Sequence, residues 1–498
     1  MLNKHSNNFV YLNRHSYFYS MKKDFLYNEI AENIAEKIHS GVLKEGERLP
    51  SVRMLSREHG VSINTVKRIF LELESRSLVQ SKPQSGYFVS PLNYLKLPLP
   101  ESSQPLLTLS SNEPNELINK VYSNMGNTDL TLFSIGVPSG NLLPLAKLKK
   151  EIVSASRELR EGGTEYEPLQ GNLKFRRMIA ARSLAWEGHL SESDIITTSG
   201  CMNALSLCLM ALTKPGDVIA IESPCYPGIL QLTLSLGLQV MEIATHPVTG
   251  IDIEVLKSIM PKIDIGLLVP NFNTPLGYCI PDKSKKEIAE LFSQYDIPLI
   301  EDDTYGDIHF SQKRPKCCKS FDTDGNILWC SSVSKTLAPG YRVGWVAPGK
   351  YKEQILRLKL IHSVSSTSLI NEAVGNFLMT GKYENHLRRL RKTLQENYQN
   401  YAVIIADHFP FGTKISRPQG GLALWVEFPK EIDTAELYNY ALQHQISIAP
   451  GRMFTLQDQF QNCMRLCIGL PWTEELGQKL KLLGSLSKKM KQNLAGNK

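Results

Sequence analysis

From Phe133 onward, short apolar runs alternate with amphipathic segments, and few folds satisfy that alternation. DVIAIE (217–222), IGLLVP (265–270), IPLIED (297–302) and NILWCSS (326–332) are each four to eight residues long and end in polar, Gly or Pro residues. Runs of that length separated by helical pattern read as buried strands of a parallel α/β sheet. In such sheets ligands collect at the carboxyl ends of the strands, so those ends are the places to look for chemistry. No GxGxxG follows the first strand, which leaves a nicotinamide-type site without support.

The strand ends carry distinctive residues. EDDTYGD closes one run with Asp302, Asp303 and Tyr305, and SSVSKTLAPGYRVGW places Lys335 beside Ser332 and Ser334, with Arg342 seven residues on. A lysine in that setting supplies an amine for a Schiff base, and the hydroxyls and guanidinium supply donors for a phosphate dianion. A buried carboxylate such as Asp302 can hold a pyridine nitrogen protonated, and Tyr305 can hydrogen-bond the ring oxygen. Upstream, TTSGCMNALSLCLMAL turns from a strand through Ser199 and Gly200 into a helix. The N–H groups of Cys201 and Met202 then face outward at its positive end, where phosphate binds.

The first ninety residues follow a different pattern. Leu26, Ile30, Ile34 and Ile38 recur every four residues, which predicts a helix over 24–39 stopped at Gly41. Ser51 is placed to cap a short second helix ending near Gly60, and Ser62 to cap a third whose Val66, Ile69, Phe70 and Leu73 face inward. Two short helices around a Gly-containing turn form a helix-turn-helix candidate. Leu78–Ser81 and Tyr87–Val89, flanking Lys82-Pro83-Gln84-Ser85-Gly86, read as a hairpin wing. Residues 1–22 have no apolar h-region and read as a disordered extension, with Met21 a plausible alternative start. Ser90 to about Thr131 is rich in Pro, Ser and Asn, so 92–130 reads as an interdomain linker, and a loop packed on the body is its alternative.

Composition supports a soluble multidomain chain. The 498 residues are 42% hydrophobic and 21% charged, enough to bury a large core. The net charge of +7 is unevenly spread, with +4 in residues 1–90 and six Lys without an acid in 478–498, so the body between is slightly acidic. Such asymmetry hints at a polyanion-binding end, although a basic tail is more often a solvated helix face. Nine cysteines without a CxxC spacing fit reduced thiols, no metal site and a cytoplasmic location. No apolar run approaches the roughly 18 residues of a membrane span.

The motifs G-x-L-x-x-G-x-x-LPS-x-R, V-S-x-N-T-V and S-G-x-F-V, spread over 23–91, resemble the winged helix-turn-helix of GntR-type bacterial regulators. The resemblance implies that Arg53, Ser62, Asn64, Thr65, Lys67 and Arg68 meet a double-stranded DNA operator and that Gly86 lets the wing approach it. Ile63 stands where that family often has Arg. The body, 131–490, resembles the fold-type I aminotransferases, with a mostly parallel sheet and a smaller α+β C-terminal subdomain. That implies pyridoxal 5′-phosphate as cofactor, with Lys335 as its Schiff-base lysine, Asp302 at the ring nitrogen, Tyr305 at the ring oxygen and Tyr226 stacked on the ring. Ser199, Gly200, Cys201, Met202, Ser332, Ser334 and Arg342 match the phosphate cup. Tyr166 matches a tyrosine given across the dimer, and Arg465 the arginine that clamps a substrate carboxylate. In PNFNTPLG, Thr274 occupies the position of the family asparagine before Pro, with Asn273 one residue earlier as the substitute.

Together the two units resemble the MocR group of regulators, which implies a homodimer responsive to the cofactor or to its adduct with an amino acid or other amino compound. A working aminotransferase carrying a DNA-binding domain, and a fold retained only for dimerisation, are the alternatives.

Overall fold

The computed structural model describes residues 27–76, 78–82, 84–90, 97–109 and 115–496. The extension 1–22, Met21, and parts of the proposed linker (92–96 and 110–114) lie outside the described residues. The chain divides between residues 96 and 97 into two compact units.

In the smaller unit, α1 (27–39), α2 (Val52–Glu58) and α3 (Ile63–Ser75) precede a hairpin of β1 (Val79–Lys82) and β2 (Gly86–Val89). Ser51 Oγ accepts from Met54 N (3.2 Å), and Ser62 Oγ from Thr65 N (3.1 Å), so both capping expectations hold. The four-residue stripe of α1 is buried at Ile30, Ile34 and Ile38 against Leu55, Val66, Ile69, Phe70, Leu73 and Val89. Truncating any one of these to alanine would cost about 2–5 kcal/mol. Phe70 stacks on Tyr87 with ring centroids 3.9 Å apart, which ties α3 to the wing.

The larger unit is built on a seven-stranded sheet of β3 (Ile196–Thr198), β4 (Val218–Glu222), β5 (Gln239–Ile243), β6 (Ile265–Leu268), β7 (Leu299–Asp302), β8 (Ile327–Ser332) and β9 (Gly344–Ala347). Their order is β3-β9-β8-β7-β6-β4-β5, and all neighbours are parallel except β9, which runs antiparallel to both β8 and β3. The strands are largely buried because both faces are covered, and their polar residues, among them Glu222, Glu242, Glu301, Asp302 and Ser332, are buried with them. Leu328 and Cys330 join one core with the helix Cys201–Leu212, while Trp329 between them joins the other with Phe175, Trp186 and Trp345. A second sheet of β10 (Lys414–Ile415), β11 (Ala423–Glu427), β12 (Ala449–Pro450) and β13 (Cys463–Cys467) is antiparallel, in the order β10-β11-β13-β12.

The segment read as a linker carries more structure than its composition suggests. Residues 97–109 are strapped along the larger unit. Ser103 N donates to Thr245 O (3.0 Å), Thr245 N to Ser103 Oγ (2.7 Å), and Leu106 N to Gln457 Oε1 (2.8 Å). A helix follows at Asn115–Tyr122, with Ile118 and Val121 fully buried. These attachments are long-range bonds to the larger unit, and nothing in the local Pro/Ser pattern signals them. Among the described residues, no helix is long and apolar enough to cross a membrane.

Candidate functional sites

On the smaller unit, Arg53, Ser62, Asn64 and Lys67 are exposed around the start of α3, and Thr65 is half-buried. The Thr65 hydroxyl pairs with Ser62 Oγ at 2.9 Å, so the cap orders both hydroxyls. Gly86 lies in the wing at φ +103, where a side chain would be strained, with the Arg48 guanidinium alongside. Arg68 differs from the expectation. Its guanidinium sits 4.2 Å over the Tyr27 ring and is held between α3 and α1 by cation–π attraction.

On the larger unit, the carboxyl ends of β7 and β8, with the loops after them, enclose a cavity of about 200 Å³. Cys201, Met202, Tyr226, Thr274, Asp302, Tyr305, Ser332, Ser334, Lys335 and Arg342 are among its lining residues. Residues far apart in sequence therefore converge, as their placement at strand ends requires. Lys335 Nζ donates to the Gly136 carbonyl at 2.7 Å and lies 5.8 Å from the Tyr305 ring. Burial pushes its ammonium below the usual lysine range, aided by the Arg465 charge, so a neutral nucleophilic amine is easier to reach.

Asp302 terminates β7, and its Oδ1 accepts from Thr304 N (3.0 Å), Thr304 Oγ1 (2.6 Å) and Cys201 Sγ (3.3 Å). Burial raises its pKa, and the Thr304 donors oppose that rise. A cation placed against this carboxylate would favour its ionised form further. The Tyr305 phenol is pushed up to about 12, chiefly by burial, against opposing contributions from Thr274 and Arg465. It is a donor at neutral pH.

At the other end of the cavity, Gly200 precedes the helix Cys201–Leu212 with φ 93 and ψ 168, a conformation essentially reserved for glycine. A Cβ there would fall 2.4 Å from Arg342 Nη2. Arg342 itself reaches Ser334 Oγ (3.4 Å) and Ser199 O (3.3 Å). A helix N-terminus, two serines and a guanidinium thus form a cradle whose donor set suits a phosphate dianion. Arg465, on β13, is buried and donates through Nη2 to Ser134 O at 2.6 Å, while its Nε and Nη1 have no partner among the described residues. Unpaired buried guanidinium donors are costly, and a carboxylate would satisfy them. A Cβ on Gly136 would lie 3.2 Å from Arg465 Nη1 and 3.8 Å from the Tyr305 hydroxyl, so that glycine keeps the approach open.

One expected residue is placed elsewhere. Asn273 is fully buried with its amide on the Glu222 carboxylate, outside the cavity, and Thr274 lines the cavity instead. Tyr166 is 83% exposed and does not line this chain's cavity.

Sequence reasoning missed Gly136, Thr304 and Tyr122. Gly136 acts through a main-chain carbonyl, which leaves no side-chain signal. Thr304 was legible as the hydroxyl inside EDDTYGD. Tyr122 ends the helix Asn115–Tyr122, in a segment that looked like a linker, and lies near enough to Tyr226 and Lys335 to act on them electrostatically.

Residues 128–477 match the family described as aminotransferase class I and II, and residues 26–89 match the bacterial regulatory proteins of the gntR family. The chain is 36% identical over 463 residues to the uncharacterized HTH-type transcriptional regulator YjiR of Escherichia coli, covering 92% of this chain and 98% of that one. It is 26% identical to the HTH-type transcriptional regulator NorG of Staphylococcus aureus, over 82% and 92% of the two chains. Among solved structures, the multiple substrate aminotransferase of Thermococcus profundus superposes with a TM-score of 0.70 at 22% identity, over 76% of this chain and 96% of that one. The α-aminoadipate aminotransferase LysN of Thermus thermophilus, complexed with N-(5′-phosphopyridoxyl)-L-leucine, gives 0.69 at 22%, over 75% and 95%. These two likenesses establish the fold.

Proposed function

Because the chain belongs to the GntR-type helix-turn-helix transcriptional regulators that carry an aminotransferase class I and II domain, we propose that it binds an operator through its smaller unit and senses pyridoxal 5′-phosphate, or its adduct with an amino compound, in its larger one. The observation that carries this reading is the convergence of Lys335, Asp302, Tyr305 and Arg342 on one cavity. When bound, the cofactor supplies an electron sink and an aldehyde for amines.

Lys335, which now donates to Gly136 O, would hold it by its amine; Asp302, oriented by Thr304 and Cys201, would meet its ring nitrogen, Tyr305 with Thr274 beside it would donate to its ring oxygen, and Tyr226 would lie against it. The N–H groups after Gly200 (Cys201, Met202), with Ser332, Ser334 and Arg342, hold the phosphate, and Arg465 holds an effector carboxylate. Tyr166, exposed here, reaches the phosphate of a partner copy in a homodimer. On the smaller unit, Arg53, Ser62, Asn64, Thr65 and Lys67 contact DNA, with Gly86 admitting the wing. Nine free cysteines support a reducing, cytoplasmic setting.

Occupancy can change DNA affinity only by favouring one arrangement of the dimer over another. The test is the visible absorbance of purified protein mixed with the cofactor, beside Lys335→Ala. A Lys335-dependent band supports the reading, and identical spectra contradict it. The unpaired donors of Arg465 favour a second reading, a catalytically active aminotransferase. Turnover across a panel of amino and keto acids, absent in Lys335→Ala, would establish that reading.

A further inference from the structure

The loop that carries Lys335 is anchored from behind the cavity by residues that do not line it. Thr336, the next residue, is buried, and its carbonyl and hydroxyl are both engaged by the helix Lys382–His408. The carbonyl accepts from His386 Nε2 at 2.6 Å, and Thr336 Oγ1 lies 3.0 Å from the Tyr383 hydroxyl. The same hydroxyl is 3.0 Å from Asp307 Oδ2, and Asp307 closes the EDDTYGD run that carries Asp302 and Tyr305. One phenol thus bridges the two loops whose side chains meet in the cavity. Tyr383 and His386 are three residues apart, on one face of the helix, and both are buried.

The two ends of this bridge are held unequally. Asp307 is fixed without Tyr383, because its carboxylate accepts from Arg314 Nε (2.8 Å) and Arg182 Nη2 (2.9 Å) and its carbonyl accepts from Arg391 Nε (2.8 Å). The other approach of Thr336 Oγ1, to Val333 O, is long at 3.5 Å. Packing does not make up the difference. A second cavity of about 20 Å³, room for about one water, lies behind the loop with Thr304, Ser332, Asp307 and Thr336 in its wall.

We propose that Tyr383 is a positioning residue that sets the Lys335 loop in register with Asp302 and Tyr305, acting through Thr336. This rests on the cofactor-binding reading above. A lysine amine sits at the end of a flexible stem, so its time at the reacting position depends on how firmly the loop beneath it is held. Removing the Tyr383–Thr336 bond frees the loop on its weakly held side and leaves the Asp307 side in place. The helix start after Gly200 and the Arg342 guanidinium lie on other segments and keep their hold on the phosphate.

The test uses the full chain with Tyr383→Phe, which removes one oxygen and keeps the ring, and with Thr336→Val, which removes the same bond from the other side. Pyridoxal 5′-phosphate affinity is read from the Lys335-dependent visible band and, in a Lys335→Ala background, by equilibrium dialysis. Each variant should lower the affinity read from the band by roughly two- to tenfold, the net worth of one hydrogen bond. The double variant should lose no more than either single one, because both remove one shared bond. Thr336→Ser, which keeps the hydroxyl, should bind as the wild type does, and Tyr383→Phe should change nothing in the Lys335→Ala background. Wild-type affinity in both single variants overturns the proposal. So does an equal loss in the Lys335→Ala background, which would mark a general structural effect rather than one exerted on Lys335. Should Tyr383→Phe fail to fold, Thr336→Val and Thr336→Ser decide by the same criteria. A wild type without the band overturns the cofactor reading itself, and this proposal with it.

Discussion

Replacing Gly200 by alanine perturbs one atom at the most constrained point of the cradle. At φ 93 and ψ 168 the backbone is in a region where a side chain costs of order 1–3 kcal/mol. The added Cβ would also fall 2.4 Å from Arg342 Nη2 and 2.9 Å from its Cζ, so the guanidinium must leave Ser334 and Ser199 or the helix start must shift. Either movement removes a charge-assisted contact to the phosphate, worth about 1.5–3 kcal/mol, or roughly 10- to 100-fold in affinity. Titrating the protein with pyridoxal 5′-phosphate and with pyridoxal, read by absorbance, isolates the effect. The variant should weaken the phosphorylated form by that factor and leave pyridoxal nearly unchanged, with thermal unfolding reporting the backbone strain separately. Equal weakening of both ligands, or unchanged affinity for both, would refute the assignment of Gly200 and Arg342 to a phosphate cup.

Other outcomes follow from single contacts. Ser62→Ala removes the cap on Thr65 N and should destabilise the smaller unit by about 1 kcal/mol in denaturant unfolding, with weaker DNA binding. Arg465→Lys keeps the charge but loses the planar fork. Amino acids with a free carboxylate should then perturb the spectrum of bound cofactor only at roughly tenfold higher concentration, while amines lacking a carboxylate behave as in wild type. Burial raises the Glu222 carboxyl to about 7 from 4.5, so the folded state holds its proton more tightly than the unfolded one. Its contribution to stability is therefore full below the unfolded value and falls as pH rises from about 4.5 to 7, by up to roughly 3 kcal/mol. Glu222→Gln should flatten that slope in pH-dependent urea unfolding, and an unchanged slope would exclude Glu222 as its source.

Legibility in the sequence tracked how local each determinant is. The caps Ser51 and Ser62, the α1 stripe and the wing are set by residues a few positions apart, and all were readable. The cofactor-cavity residues Lys335, Asp302 and Arg342 were readable because strand ends collect at one edge of a parallel sheet. Thr274 and Asn273 differ by one position, and only the path of the turn decides which faces the cavity. The attachments of 97–109 and of the helix Asn115–Tyr122 depend on partners more than a hundred residues away, and a helix with two buried apolar side chains has too short a pattern to detect. Arg68 was read from its place on the recognition helix, whereas Tyr27 on another helix determines where it points.

If the smaller unit binds its operator in response to occupancy of the cavity, as proposed, the coupling is reciprocal. Operator affinity measured with and without pyridoxal 5′-phosphate should change by a factor equal to the change in cofactor affinity measured with and without operator. Lys335→Ala should abolish both changes. Operator affinity unchanged by the cofactor, and cofactor affinity unchanged by the operator, would contradict that coupling.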